Sequence, residues 1–274
     1  MSSGAKQLVQ IAKETVIGTV PSPFARQTLA FTDISLNQSV EKTESASITD
    51  NRLQQSSMIT SAEYSGELSA EAQYGAYDDL MAAAAFNAWA TNVLTFGGTT
   101  RQTFSVLLGY TDIANYHTFS GLHVNTFGID IPEAGLIGLT FGFMGTKRTT
   151  AAVAPVGTIT PASSNPRMSN ISVGDLLVDG ASVKGTACIT AFSFNWDNSM
   201  QVQKCLGAGL EVGAILEMSA KGTGSFTMAW STKAAELYEK QFTNGNISLS
   251  IPITDTAGNK YVLNIPKVEL TAPL

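Results

Sequence analysis

The sequence predicts a mostly β chain of the α+β class, on three observations. Apolar residues recur at every second position through a series of short segments, only two segments have helical composition, and Gly-bearing turn chemistry separates the last two strands.

Leu68, Ala70, Ala72 and Tyr74 alternate with Glu67, Ser69, Glu71 and Gln73, the pattern of a strand with one buried and one solvated face. Phe104, Val106 and Leu108 follow the same period, as do Leu139, Phe141 and Phe143, then Phe192, Phe194 and Trp196, then Phe226, Met228 and Trp230. The cleanest case is Ile247, Leu249, Ile251 and Ile253, whose closing partner is the run 261–265 across the turn residues Asp255 to Asn259. About ten strands are expected on this reading.

Helices are expected over 77–89 and 231–242. In the first, Asp78 and Asp79 suit the positive N-terminal end and an Ala run has high propensity. In the second, Ser231 or Thr232 can cap and Gly245 lies just past the end. Two polar stretches read as strand-poor. The excursion from Asn37 to Ser57 carries Glu41, Lys42, Glu44, Asp50 and Arg52; it reads either as a solvated mixed-charge loop or as a docking arm between subunits. The stretch 149–169 holds Pro155, Pro161 and Pro166 and reads as a linker or extended connector. It divides the chain into 1–150 and 151–274.

The two parts repeat each other with a period of about 140 residues. In the first, a strand ending at Leu36 precedes a polar excursion, then Met58-Ile59, a strand opening at Gly66 and a helix around Leu80. In the second, a strand ending at Trp196 precedes an excursion, then Ile215-Leu216, a strand opening at Gly224 and a helix around Leu237. The Gly-to-Leu spacings are about 14 and about 13 residues. The expectation is therefore two tandem β modules, each with a flanking helix.

Charge and composition narrow the function. With 16 Lys+Arg against 22 Asp+Glu the formal charge is −6, which disfavours gripping nucleic acid through the overall field. The opening MSSGAKQLVQIAKET lacks an apolar signal-peptide core, and Met81 to Ala90 is too short to span a bilayer, so a cytoplasmic origin is expected. Cys188 and Cys205 lack the spacing of a disulfide framework or zinc site and read as reduced packing residues. His117 and His123 have no local nucleophile or orienting acid, Gly207-Ala-Gly209 lacks the third glycine of a dinucleotide fingerprint, and Asp78-Asp79 read as helix-dipole partners rather than metal ligands. The sequons at Asn170 and Asn246 read as accidental without a secretion signal. No catalytic residue, metal or cofactor is expected.

Ordered phrases across nearly the whole chain then carry a resemblance. KETVIGTVPSP from Lys13, the strand and Glu/Ser-rich loop from Phe31 to Arg52, the Gly-x-Leu strand with Tyr-Asp-Asp-Leu helix start between Ser65 and Phe86, the strands from Phe104 to Ile131, and Gly142-Phe-Met-Gly together resemble the tail tube (major tail) proteins of long, non-contractile bacteriophage tails, departing at Val16-Ile17. The resemblance implies a structural virion protein, not an enzyme, that self-assembles into stacked rings whose inner sheets join into a barrel around a DNA channel. It implies a virion-tail location with assembly in the host cytoplasm, partners among tape-measure, terminator and tip proteins, transient DNA passage and no membrane. Inner sheets in that family make about 24 strands per ring. With two modules giving about eight strands per chain, three chains would close a pseudo-sixfold ring, the alternative being six chains using one module each. The net charge adds the expectation of an acidic channel wall. Rival readings are the tube of a phage-like secretion or injection device, a phage decoration or adhesin-like β domain, and a β-rich hydrolase.

Overall fold

A computed structural model describes residues 6–47, 53, 55–243 and 245–271. In chain order the strands and helices are β1 Gln7–Lys13, β2 Arg26–Leu29, β3 Asp33–Ile34, β4 Asn37–Glu44, β5 Ser57–Glu71, α1 Asp78–Ala84, β6 Phe104–Tyr110, β7 Asn115–Ile131, β8 Gly138–Gly145, β9 Lys147–Ala151, β10 Ile159–Thr160, β11 Leu177–Val178, β12 Ala181–Ser182, β13 Ile189–Asp197, β14 Gln201–Gln203, β15 Ala214–Leu216, β16 Lys221–Met228, α2 Thr232–Lys240, β17 Asn246–Thr254 and β18 Lys260–Glu269. The chain is mostly β, as its alternation predicts. Strands outnumber the expected ten because several are two- or three-residue pairings too short to leave a period in the sequence.

One long strand organises the fold. The first half of β7 pairs with β6 and β9, and its second half pairs with β8 and β13. Register shifts at 119–122 and 124–126 mark where it passes between sheets, the usual work of a bulge. The outer sheet therefore runs β10-β2-β1-β6-β7-β9, and a second sheet, the wall sheet, runs β16-β13-β7-β8-β5 with β3 and β4 end to end beside β5. A separate sheet runs β12-β11-β17-β18.

These sheets share one core. Val9, Ile11, Phe104, Val106 and Phe119 of the outer sheet meet Leu68, Phe127, Leu139 and Phe141 of the wall sheet, together with Leu80, Ala83 and Ala84 of α1. Ile247, Leu249, Ile251 and Ile253 join the same core with Val178 and Leu237. A smaller cluster of Ala12, Phe24 and Leu107 lies on the other face of the outer sheet.

Helix α1 ends at Ala84, shorter than the expected 77–89, because Phe86 adopts a left-handed φ of 52° and Gly98 N–H then donates to the Ala85 carbonyl at 3.1 Å. Helix α2 starts as expected: the Ser231 hydroxyl accepts from Ala234 N–H at 3.2 Å, and Gly245 N–H donates to Lys240 C=O at 3.0 Å. The excursion 37–57 is corrected most. Residues 37–44 are strand, paired from Asn37↔Ser65 to Glu44↔Ser57 in a long hairpin arm. The stretch 149–169 lies along the outer sheet, with β9 on β7 and β10 parallel to β2.

The expectation for the cysteines is also corrected. Cys188 and Cys205 are free but exposed, not packed, since Cys188 sits just before β13 and Cys205 lies in the loop after β14. The second sheet has six strand positions, and β17 and β18 pair with β11 and with each other instead of extending it.

Candidate functional site

Residues opposite one another in register share a face of a sheet, so the pairings of the wall sheet spell out each face. One row reads Glu71, Gly138, Asp130, Ser193, Ser225; the next Ser69, Thr140, Gly128, Asn195, Thr223; the next Glu67, Gly142, Thr126, Asp197, Lys221. The face away from the core is thus a lawn of Ser, Thr, Asn and Gly set with carboxylates. Arg167 pairs with Glu71, and Lys204 reaches Glu63 at 3.3 Å, while Glu67, Asp130 and Asp197 form no ion pair among the described residues. The opposite face carries Leu68, Phe141, Phe127 and Phe192, all buried.

Among the described residues both edges of the wall sheet are open. β16 pairs only with β13 and is exposed on both faces from Lys221 to Ser225, and β4 pairs only with β5. The edges differ in charge: β16 has Lys221 and no acid, whereas β3 and β4 carry Asp33, Glu41 and Glu44 against Lys42. All neighbouring pairs from β4 to β16 are antiparallel, so the six positions leave β4 and β16 running in opposite directions.

The arm places the predicted residues Glu41, Lys42 and Glu44 together on β4, exposed, with Glu41 accepting from the Ser61 hydroxyl at 2.9 Å; Asp50 and Arg52 lie outside the described residues. The arm also shows Val40, Met58 and Ile59, which are 44%, 74% and 49% exposed. The sequence shows Met58-Ile59 as a marker of the repeat but not as part of an exposed arm, because a hairpin solvated on both faces has no hydrophobic alternation to read.

Beside the bend of β7 a residue missed in the sequence ties the fold together. Glu14 is buried and its carboxylate accepts four hydrogen bonds: Gly18 N–H (2.8 Å) and the Thr103 hydroxyl (2.9 Å) on Oε2, the Ser105 hydroxyl (2.6 Å) and Gly121 N–H (2.9 Å) on Oε1. The Lys-Glu-Thr phrase was the available signal. Nearby, His123 is buried, its Nδ1–H donating to Gly121 C=O at 3.0 Å, and burial holds its pKa low. His117 accepts from Arg148, and burial and that guanidinium lower its pKa as well.

Asp78 and Asp79 open α1 as predicted, and Asp78 has a further role. Its carboxylate accepts from the Tyr261 hydroxyl, which itself accepts Gly75 N–H at 2.9 Å, so β18 is pinned to the start of α1. Burial raises the pKa of both Asp78 and Tyr261. Among the described residues no group of three or more His, Cys, Asp or Glu is placed to hold a metal, and no helix is long and apolar enough to cross a membrane.

Comparison with known proteins gives one assignment: a family model described as phage tail tube protein matches residues 4–273. No curated protein matches the chain.

Proposed function

The chain belongs to the phage tail tube protein family, a structural family of the virion tail, and from that premise we propose that its wall sheet lines a DNA channel and closes edge to edge with neighbouring copies. The observation that carries this is the wall sheet itself: a polar, acidic face opposite an apolar one, with an open strand at each end. Closure removes edges that would otherwise invite uncontrolled pairing. Because β4 and β16 run in opposite directions and differ in charge, β16 of one copy meets β3–β4 of the next antiparallel and with attraction.

The division into 1–150 and 151–274 is part of the proposal. The order β12-β11-β17-β18 has the same connections as β2-β1-β6-β7, the hairpin β13–β16 follows as β3/β4–β5 does, and α2 follows β16 as α1 follows β5. This supports two tube modules, already joined within the chain through β7 and β13. In the first module β8 lies between β5 and β7; beside β16 that position is open.

Barrel size favours three chains. At about 4.8 Å spacing and about 40° tilt, 18 strands give a wall radius of about 18 Å, and side chains of about 5 Å leave a bore of about 26 Å. A duplex about 20 Å across passes such a bore, whereas six chains would open it to about 60 Å. Carboxylates on the bore repel the backbone only over about 8 Å in physiological salt, enough to prevent sticking. The arm, with Glu41, Lys42 and Glu44 and its exposed apolar residues, reaches the adjacent ring. Assembly in the host cytoplasm and contacts with tape-measure, terminator and tip proteins complete the reading.

Electron microscopy of the purified chain tests it. Tubes of constant diameter with three chains per ring are expected. Dispersed monomers under all assembly conditions would overturn the function, and six chains per ring would overturn the two-module reading.

A further inference from the structure

Directly after the open strand β16 the chain builds an aromatic corner. Trp230 lies edge-on to Tyr238 of α2 with ring centroids 6.2 Å apart, and Tyr238 lies edge-on to Phe242 at 5.4 Å. Trp230 and Phe242 are each 67% exposed, so two large rings stand in water at the two ends of α2. Aromatic groups in such clusters are the usual anchors of interfaces.

The corner is rigid before any partner arrives. Leu237 is buried in the core, Ser231 caps the helix, and at its other end Lys240 pairs with Asp179 at 2.6 Å. Asp179 also accepts Ser248 N–H of β17 at 2.9 Å. A platform already fixed in place loses little entropy when its rings are covered.

The first half of the chain shows what becomes of the matching surface. Beyond α1, Phe86 is buried, and Trp89 lies 6.4 Å from Tyr261, a residue of the second half. Thus the aromatic residues following α1 are covered in part by the next module along the chain. Those around α2 have no such cover among the described residues, and they adjoin the strand edge that is open.

We propose that the Trp230–Tyr238–Phe242 corner is a docking site for a second copy of this chain, seated where that copy's β3–β4 edge adds to β16. This rests on the edge-to-edge closure proposed above. Backbone pairing supplies strand alignment, and the corner supplies the apolar anchor that fixes the angle between neighbouring copies outside the channel.

Four variants and one quenching probe test it, with the full chain in an assembly assay scored by sedimentation and electron microscopy. Trp230→Ala and Phe242→Ala are expected to remain folded by near-ultraviolet circular dichroism and to reduce tube yield at least tenfold. Gly222→Pro tests the strand edge separately, because in the β13–β16 register the N–H of residue 222 faces the open side and that of its neighbour Lys221 faces β13. Normal tubes from both alanine variants overturn the anchor; if Gly222→Pro fails to assemble in the same series, edge closure stands without it. Normal tubes from folded Gly222→Pro overturn edge closure itself. Acrylamide quenching of wild-type and Trp230→Phe protein, each as monomer and as tube, settles the anchor even if an alanine variant fails to fold. The quenchable emission contributed by Trp230 should fall on assembly, and equal quenching in both states overturns the proposal.

Discussion

Glu14 and Gly121 lie far apart in sequence, yet the Glu14 carboxylate accepts the Gly121 N–H at 2.9 Å and holds β7 where it passes from the outer sheet to the wall sheet. Gly121 has a φ of 64°, and a side chain there would overlap Thr146, so the strand bends at a residue only glycine fills well. Replacing Glu14 by Gln swaps an acceptor oxygen for an NH2 group facing N–H and O–H donors. Glu14→Gln is expected to cost about 2–4 kcal/mol, as a buried network loses partners. Urea denaturation measures it; an unchanged midpoint would show that the four hydrogen bonds do not hold the bend.

Tyr261 and Asp78 are expected to be energetically coupled. Tyr261→Phe leaves a half-buried carboxylate short of its hydroxyl donor, at about 1–3 kcal/mol. Asp78→Asn should recover part of that loss in the double variant, because burial already disfavours the Asp78 charge. A double-mutant cycle reads the coupling directly, and additive losses would remove this contact from the list of those docking β18 on α1.

Acidification should weaken the fold through His123. Its folded pKa lies below the ordinary 6.5, from burial first and from Arg101. Above pH 6.5 both folded and unfolded forms are neutral and the stability is complete. As pH falls through 6.5 the unfolded chain takes up a proton that the folded chain resists, so stability declines down to the folded pKa. In thermal melts between pH 7.5 and about 5, wild type should lose stability below pH 6.5 more steeply than His123→Gln, in which carboxylate titration common to both is all that remains, and equal slopes would remove His123 from the acid response.

Shortening the arm tests stacking while leaving β3 and residues 37–41 of β4 at the edge of the wall. Replacing residues 42–60 by Asn-Gly joins the paired residues Glu41 and Ser61 through a two-residue hairpin turn. The variant is expected to be soluble, folded and unable to form long tubes, with single rings the largest product. Normal tubes would remove the arm from ring-to-ring contact.

Charge on the proposed bore should govern passage and not assembly. The triple variant Glu67→Lys, Asp130→Lys and Asp197→Lys is expected to form tubes that retain DNA in low salt and release it as salt rises. DNA retention equal to that of wild type would place these residues outside the channel.

The wall strands were legible because each has one apolar face, and Leu68, Phe141 and Phe192 alternate accordingly. The helix starts were legible from Asp78-Asp79 and Ser231. The arm was not, since β4 buries nothing within the chain, and β11 and β12 are two-residue pairings fixed by β17 rather than by their own pattern. Glu14 reads as a surface residue by type; only the folded neighbourhood of Gly18, Thr103, Ser105 and Gly121 explains its burial. Open edges, likewise, are a property of pairing and have no sequence period.

The passage of β7 through both sheets bears on how a tube withstands force. Its 17 residues span about 55 Å of extended backbone, half in the wall and half in the outer layer. In the proposed tube, pressure from moving DNA pushes the wall sheet outward, and in a sandwich of separate sheets such a load would be resisted only by side chains sliding past one another. Here the layers share a covalent strand, so the thrust passes along peptide bonds and into the hydrogen-bonded ladders on either side. A channel that must flex along its length without bursting gains hoop strength from that single crossing.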